Sequence, residues 1–195
     1  MAILEKYYEE RCNKPSDINE HLPTLRKYAE ECDHITEMGV RWVVSTFAFL
    51  MGKPKKLVSI DYIEPKEYGA NIGIVSQLAK DNDIEFQFIL GDTRQIEIEE
   101  TDFLFIDTWH VYGHLKRELE HHHANVNKYI IMHDTEGDAL IGESVRFWCD
   151  FKTGEPGSRG SALRACATGN CSAVAATAVD AEAFPAASGN PCQPG

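Results

Sequence analysis

From residue 34 onward, short runs rich in Ile, Val and Phe alternate with longer amphipathic segments, and this alternation constrains the fold more than any other feature of the chain. Apolar runs of strand length separated by helix-length amphipathic stretches are the pattern of a parallel sheet with crossover helices. The rhythm predicts strands near residues 35–38, 57–60, 85–90, 102–106 and 128–132. Helices are expected near 45–51, 68–80, 93–98, 111–126 and 140–150. The expected fold is a doubly wound, Rossmann-like α/β domain with a mainly parallel sheet.

Two helical patterns precede it, at 3–11 and at 18–31, where Leu22, Leu25, Tyr28 and Ala29 recur at helical spacing behind Asp17 as a candidate cap. With 195 residues there is room for one domain. We divide the chain into an N-terminal helical flank (1–33), the α/β domain (34–157) and a tail (158–195). Residues 161–195 hold eleven alanines and three charged residues, Arg164, Asp180 and Glu182, and show neither an alternating strand nor a capped amphipathic helix. The tail is therefore expected to be disordered and to add no strand to the sheet. That would leave the edge of the fifth strand to solvent or to a second copy of the chain, as a homo-oligomer.

Charge narrows the partners. The 19 Lys and Arg against 31 Asp and Glu give a formal net charge of −12, and no stretch gathers the basic residues needed to displace counterions from a nucleic acid. Nucleic acid is not an expected partner; a small neutral or cationic ligand is. No apolar run reaches the length of a membrane span and residues 1–13 lack a signal-peptide core, so a cytoplasmic location is expected. The six cysteines include no C-x-x-C pair, which speaks against a zinc ribbon or a redox motif.

Candidate ligand-binding residues cluster at the expected C-terminal strand ends, where open α/β sheets bind ligands. Gly39 follows the first strand and would let the backbone turn tightly, and Ser45-Thr46 open the next helix, whose free N–H groups face the turn. Asp61, at the end of the second strand, stands where a nucleoside-binding fold places a carboxylate for ribose hydroxyls. Gly91-Asp92 closes the third strand, where an acceptor could meet an adenine amino group. Together these positions describe an adenosine site. A dinucleotide is poorly served, because G-x-G-x-x-G is absent from the first turn.

The fourth strand delivers Asp107-Thr108-Trp109-His110, and the fifth delivers His133-Asp134. Neighbouring parallel strands with these ends would gather Asp107, His133 and Asp134 into an oxygen-rich site for a divalent cation, Mg²⁺ or Mn²⁺. His110, beside that site, suits a general base near neutral pH. Helix capping by Asp107 and Asp134 and a surface position for His110 are the plainer alternatives. His114, His121, His122 and His123 could bind a second metal, but Lys116, Arg117, Glu118 and Glu120 give that helix the pattern of an exposed surface. Trp109 and Tyr112 suit either the core or a stacking role against a substrate ring, and Trp42 either a cofactor contact or helix packing.

On these residues, the segment from about residue 34 to 150 resembles the class I S-adenosylmethionine-dependent methyltransferases. Within them it is most similar to the metal-dependent sugar O-methyltransferases related to macrocin and mycinamicin O-methyltransferases and to cephalosporin hydroxylase-like proteins. Their first motif is commonly E-x-G-x-x-x-G-x-S-T; Glu37, Gly39, Ser45 and Thr46 fit it, and Val43 stands where the second glycine is usual. Asp107 and His110 fit their D-x-x-H pattern.

The resemblance implies S-adenosylmethionine as cofactor, held by Glu37, Asp61 and Asp92. It also implies Asp107 and Asp134 as metal ligands, His110 as the base, and a small-molecule or sugar hydroxyl as acceptor. His133 replaces a usual carboxylate and would shift the ion from Mg²⁺ toward Mn²⁺ or Fe²⁺. Two other functions fit the same residues. One is an iron-dependent oxygenase using Asp107, His110 and His133; the other is a non-catalytic nucleoside-binding domain.

Overall fold

A computed structural model describes residues 3–109 and 111–133, together with the backbone of two short strands at 163–164 and 175–178. The sheet is built from β1 (His34–Met38), β2 (Lys56–Asp61), β3 (Glu85–Leu90), β4 (Thr101–Ile106), β5 (Val126–Met132), β6 (Leu163–Arg164) and β7 (Ala175–Ala178). Its order is β3-β2-β1-β4-β5-β7-β6, with the first five strands parallel and β7 antiparallel to both β5 and β6. This is the doubly wound, Rossmann-like fold anticipated from the alternation. The order reverses between β1 and β4, so their C-terminal ends border the crevice in which such sheets bind ligands.

The helices are α1 (Ile3–Asn13), α2 (Leu22–Ala29), α3 (Ser45–Gly52), α4 (Ile72–Asp81) and α5 (Tyr112–His122). Side chains alternate along each strand, which explains the two apolar layers. Ile35, Leu57, Phe103, Phe105 and Ile131 face a core built with α1 to α4. Met38, Ile60, Leu104, Ile106, Ile130 and Met132 face the opposite layer, which Leu119 of α5 joins. The N-terminal helices thus share the core of the sheet: Leu4, Leu22, Leu25 and Ala29 are buried in the same cluster as Phe49 and Phe103.

Four expectations change. The helix expected over 18–31 is a 3-10 turn at Asn19–His21 followed by α2, with Pro23 in the first turn of α2, where its missing N–H costs nothing. The helix expected over 68–80 begins at Ile72. A 3-10 turn, Pro65–Tyr68, ends at Gly69 with φ +75°, and the Asn71 side chain then caps α4 by accepting from Gly73 N. No helix forms over 93–98. The Asp92 carboxylate accepts from Arg94 N, which closes a local turn, and the chain then runs to β4 with Ile98 buried.

The fourth change concerns the edge of β5. Expected to be bare, it pairs with β7 in the register Tyr129↔Ala178 to Met132↔Ala175. Backbone pairing along an edge needs no apolar alternation, so an alanine-rich segment can supply it without announcing itself in sequence. The rest of the tail and the helix expected at 140–150 lie outside the described residues.

Candidate functional site

Glu37 is fully buried at the end of β1, where it ties three elements together. Its Oε1 accepts from Ser45 Oγ at 2.5 Å and Thr46 Oγ1 at 3.1 Å; its Oε2 accepts from Thr46 Oγ1 at 2.8 Å and Ser59 Oγ at 2.6 Å. Burial pushes its carboxyl up to about 7, against the opposing pull of the hydroxyls of Ser45, Ser59 and Thr46. These hydroxyls hold the start of α3 against β1 and β2. Glu37, Ser45 and Thr46 are brought together as the motif requires, but with the carboxylate enclosed by protein. Any influence of Glu37 on a ligand at the rim passes through the first turn of α3.

The turn after β1 is pressed against β4. Gly39 has φ +87°, and a Cβ there would stand 2.0 Å from the carbonyl oxygen of Asp107, so only glycine fits. Asp61 organises the following loop. Its Oδ2 accepts from Val40 N at 2.7 Å and Arg41 N at 2.9 Å, and its Oδ1 accepts from Ile63 N at 2.9 Å. A carboxylate has about four acceptor positions, so Asp61 keeps capacity for one hydroxyl donor such as a ribose.

Val43, at the usual glycine position, retains the glycine-like backbone with φ +63°, and Arg41 has φ +48°. For a β-branched residue this conformation is an outlier, of order 1–3 kcal/mol. Burial of the Val43 side chain in the α-helical layer helps to offset it.

Asp92 is placed at the end of β3 as expected, but its acceptor positions are taken. Arg94 grips it with two parallel bonds of 2.8 and 2.7 Å, and Arg94 N and Gln95 Nε2 add two more. The Arg94 guanidinium holds this carboxyl well below the usual range. An adenine amino group would have to displace one of these donors.

At the ends of β4 and β5, Asp107 Oδ1 and His133 Nδ1 lie 3.2 Å apart, and His133 Nε2 lies 3.2 Å from the carbonyl oxygen of Asp17. The His133 side chain is buried, whereas that of Asp107 is 22% exposed. A carbonyl only accepts, so Nε2 carries a proton. A proton on Nδ1 would be donated to the Asp107 carboxylate.

Among the described residues, no group of three or more His, Cys, Asp or Glu is placed to hold a metal ion; Asp107 and His133 form a pair with the spacing of two neighbouring ligands. Neighbouring donors on an octahedral ion with bonds of about 2.1 Å stand about 3 Å apart, and a ligating imidazole usually donates its other N–H to a carbonyl or carboxylate. His110 and Asp134 lie outside the described residues, so the full expected donor set is not displayed.

Sequence reasoning overlooked a second buried carboxylate. Glu118 of α5 is fully buried: its Oε1 accepts from Thr93 Oγ1 at 2.5 Å, its Oε2 from Thr108 Oγ1 at 2.8 Å, and His114 Nε2 stands 3.0 Å from Oε1. His122 is buried too, 2.5 Å from the carbonyl of Thr93, and burial lowers its imidazole pKa and favours the neutral form. The expectation of a solvated helix is corrected for this face. Leu115, Glu118, Leu119 and His122 follow the i, i+3, i+4, i+7 spacing of a buried stripe, the signal that could have revealed it. Trp109 is 69% exposed and Trp42 is 45% exposed, so neither is a core residue.

No protein-family model and no curated protein matches the chain. Solved structures do. An O-methyltransferase from Bacillus cereus in complex with SAH superposes with a TM-score of 0.53 at 18% identity, covering 78% of this chain and 79% of that one. A candidate caffeoyl-CoA O-methyltransferase from Staphylococcus aureus gives 0.54 at 13% identity over 77% and 83%. The cofactor-bound protein Rv0187 from MTB gives 0.51 at 13% identity over 76% and 75%. At these identities the likeness establishes the fold. Among the described residues, no helix is long and apolar enough to cross a membrane.

Proposed function

We propose that this chain is an S-adenosylmethionine-dependent O-methyltransferase that acts on a hydroxyl of a small molecule or sugar, with a divalent cation assisting deprotonation. The observation that carries the reading is the meeting of β1 and β4 at the strand-order reversal. There Gly39 abuts the Asp107 backbone, Asp61 fixes the intervening loop, and Asp107 and His133 point at one another. The likeness to methyltransferase structures supports the same assignment.

In this reading Asp61 takes a ribose hydroxyl, and the Glu37 network fixes the first turn of α3 so that its free N–H groups meet an anionic group of the cofactor. When bound, S-adenosylmethionine supplies an already activated electrophilic methyl, so the protein needs no covalent intermediate. Asp107 and His133, with Asp134, would hold the cation, which makes an adjacent hydroxyl more acidic. His110 serves as the base that takes the hydroxyl proton. Orientation of acceptor oxygen and methyl in line supplies much of the acceleration.

Calorimetric titration with S-adenosylhomocysteine, with and without Mg²⁺, tests the cofactor class before any acceptor is known. Saturable binding is expected, and its absence under both conditions would sink the reading. His110→Ala should then bind the cofactor product normally while losing turnover. The pairing of an imidazole nitrogen with a carboxylate also suits iron, so oxygen uptake on anaerobic loading with Fe²⁺ followed by an oxoacid and air would favour the oxygenase alternative.

A further inference from the structure

Behind the loop that follows β1, on the face covered by α1 to α4, lies a cavity of about 720 Å³, within the range that encloses small molecules. Tyr7, Arg11, Lys14, Trp42, Tyr68 and Asn71 are among its walls, and none of Glu37, Asp61, Asp92, Asp107 and His133 is among its described lining residues. It adjoins the rim discussed above, sharing the loop after β1 and Asp17 with it, but opens on the side of α1 and α4.

Two independent features give the cavity a chemical character. The first is charge. Arg11 and Lys14 form no ion pair among the described residues, whereas nearby Lys6 and Arg41 are paired with Glu10 and Asp17. The Arg11 guanidinium stands 5.0 Å from the Phe47 ring centroid, so its charge is held at the cavity wall without an acidic partner among the described residues, and two such cations on one cavity are notable in a chain of net charge −12. Asp17 also lines the cavity, but its carboxylate is engaged by Arg41 at 3.2 Å.

The second feature is aromatic surface held outward by strained backbone. Trp42 is bracketed by the two left-handed residues Arg41 and Val43, and while Val40 and Val43 are buried, Trp42 is 45% exposed. Its ring meets that of Tyr68, itself 37% exposed, at a centroid distance of 6.2 Å and an angle of 71°. The Arg41 guanidinium stands 4.2 Å from the Trp42 ring centroid and covers one face of it.

The geometry points to a binding site, beside the cofactor rim and not lined by its carboxylates, for a planar aromatic ring bearing a phosphate or carboxylate. Trp42 and Tyr68 receive the ring, and Arg11 and Lys14 receive the anion. The inference does not depend on methyl transfer.

The test is calorimetric titration of the full chain with phenyl phosphate and with 4-hydroxybenzoate, which distinguishes the two anion types; phenol and inorganic phosphate serve as single-feature probes. Saturable binding of at least one aromatic anion is expected, weakened about tenfold or more by Arg11→Gln combined with Lys14→Gln, and likewise by Trp42→Ala. All three side chains are at least partly exposed, so the variants should fold, and Lys80→Gln serves as the control that leaves binding unchanged. The assignment is overturned by any of four results. These are no saturation by either compound up to about 10 mM, equal binding in the variants, inorganic phosphate binding as tightly as phenyl phosphate, or competitive displacement by S-adenosylhomocysteine.

Discussion

Glu37 and Glu118 are both fully buried carboxylates satisfied by threonine or serine hydroxyls, on opposite faces of the sheet. Glu37 works locally: its partners open the next helix or sit beside it on β2 in the register Glu37↔Ser59. Glu118 works at long range. It reaches from α5 to Thr93 after β3 and to Thr108 after β4, so one side chain ties two rim loops to one helix. The difference teaches that the rim is held from both sides. One face fixes the start of α3, and the other fixes the loops that would border the adenine and the acceptor.

The largest expected effect tests whether the two halves must touch at all. Gly39→Ala puts a methyl group 2.0 Å from the Asp107 carbonyl at a φ that alanine avoids, and should cost about 4 kcal/mol or more, read as loss of folded protein or a greatly lowered urea midpoint. Next is Glu118→Ala, which leaves the buried Thr93 hydroxyl and the half-buried Thr108 hydroxyl without their acceptor. A loss of about 2–4 kcal/mol is expected, with faster amide exchange in the loops after β3 and β4. A loss under about 0.5 kcal/mol would mean that Glu118 does not tie these loops together.

Glu37 makes a smaller, pH-dependent claim. Its carboxyl stands near 7 in the folded chain and starts from 4.5 when unperturbed. Between those values the folded state keeps a proton that the unfolded state has released, so stability falls as pH rises through this window and levels off above it. The decline attributable to this group is at most about 3 kcal/mol, and Glu37→Gln should remove it from the difference between urea titrations at pH 4.5 and pH 8. An unchanged slope in the variant would place the shift elsewhere. Smallest is Lys53→Gly, at a left-handed cap after α3 with φ +55°, which should stabilise by about 1 kcal/mol in thermal unfolding.

These cases also show what a sequence reveals. The inner parallel strands are legible because a buried parallel strand must be apolar on both faces, and the edge strand β3, which has no fully buried residue, is legible from the alternation of Phe86 and Phe88 with Glu85 and Gln87. Glu37, Gly39, Asp61 and Asp107 are legible because strand ends punctuate the pattern. Arg94 is not, because its grip on Asp92 depends on a turn that replaces a plausible helix. Glu118 is masked by charged neighbours on the exposed side of the same helix. The short strands β6 and β7 are hidden for a different reason: their pairing is made by backbone groups, which every residue carries.

The pairing of β5 with β7 has a consequence for synthesis. Ala175 reaches the ribosomal exit after Met132, its partner in the sheet, by a delay of roughly 2–9 s at the usual elongation rates of 5–20 residues per second. During that interval a newborn chain can already assemble its parallel core, yet the outer amides and carbonyls of β5 have no mate of their own. A nascent polypeptide of this kind invites capture by another unfinished molecule on the same messenger.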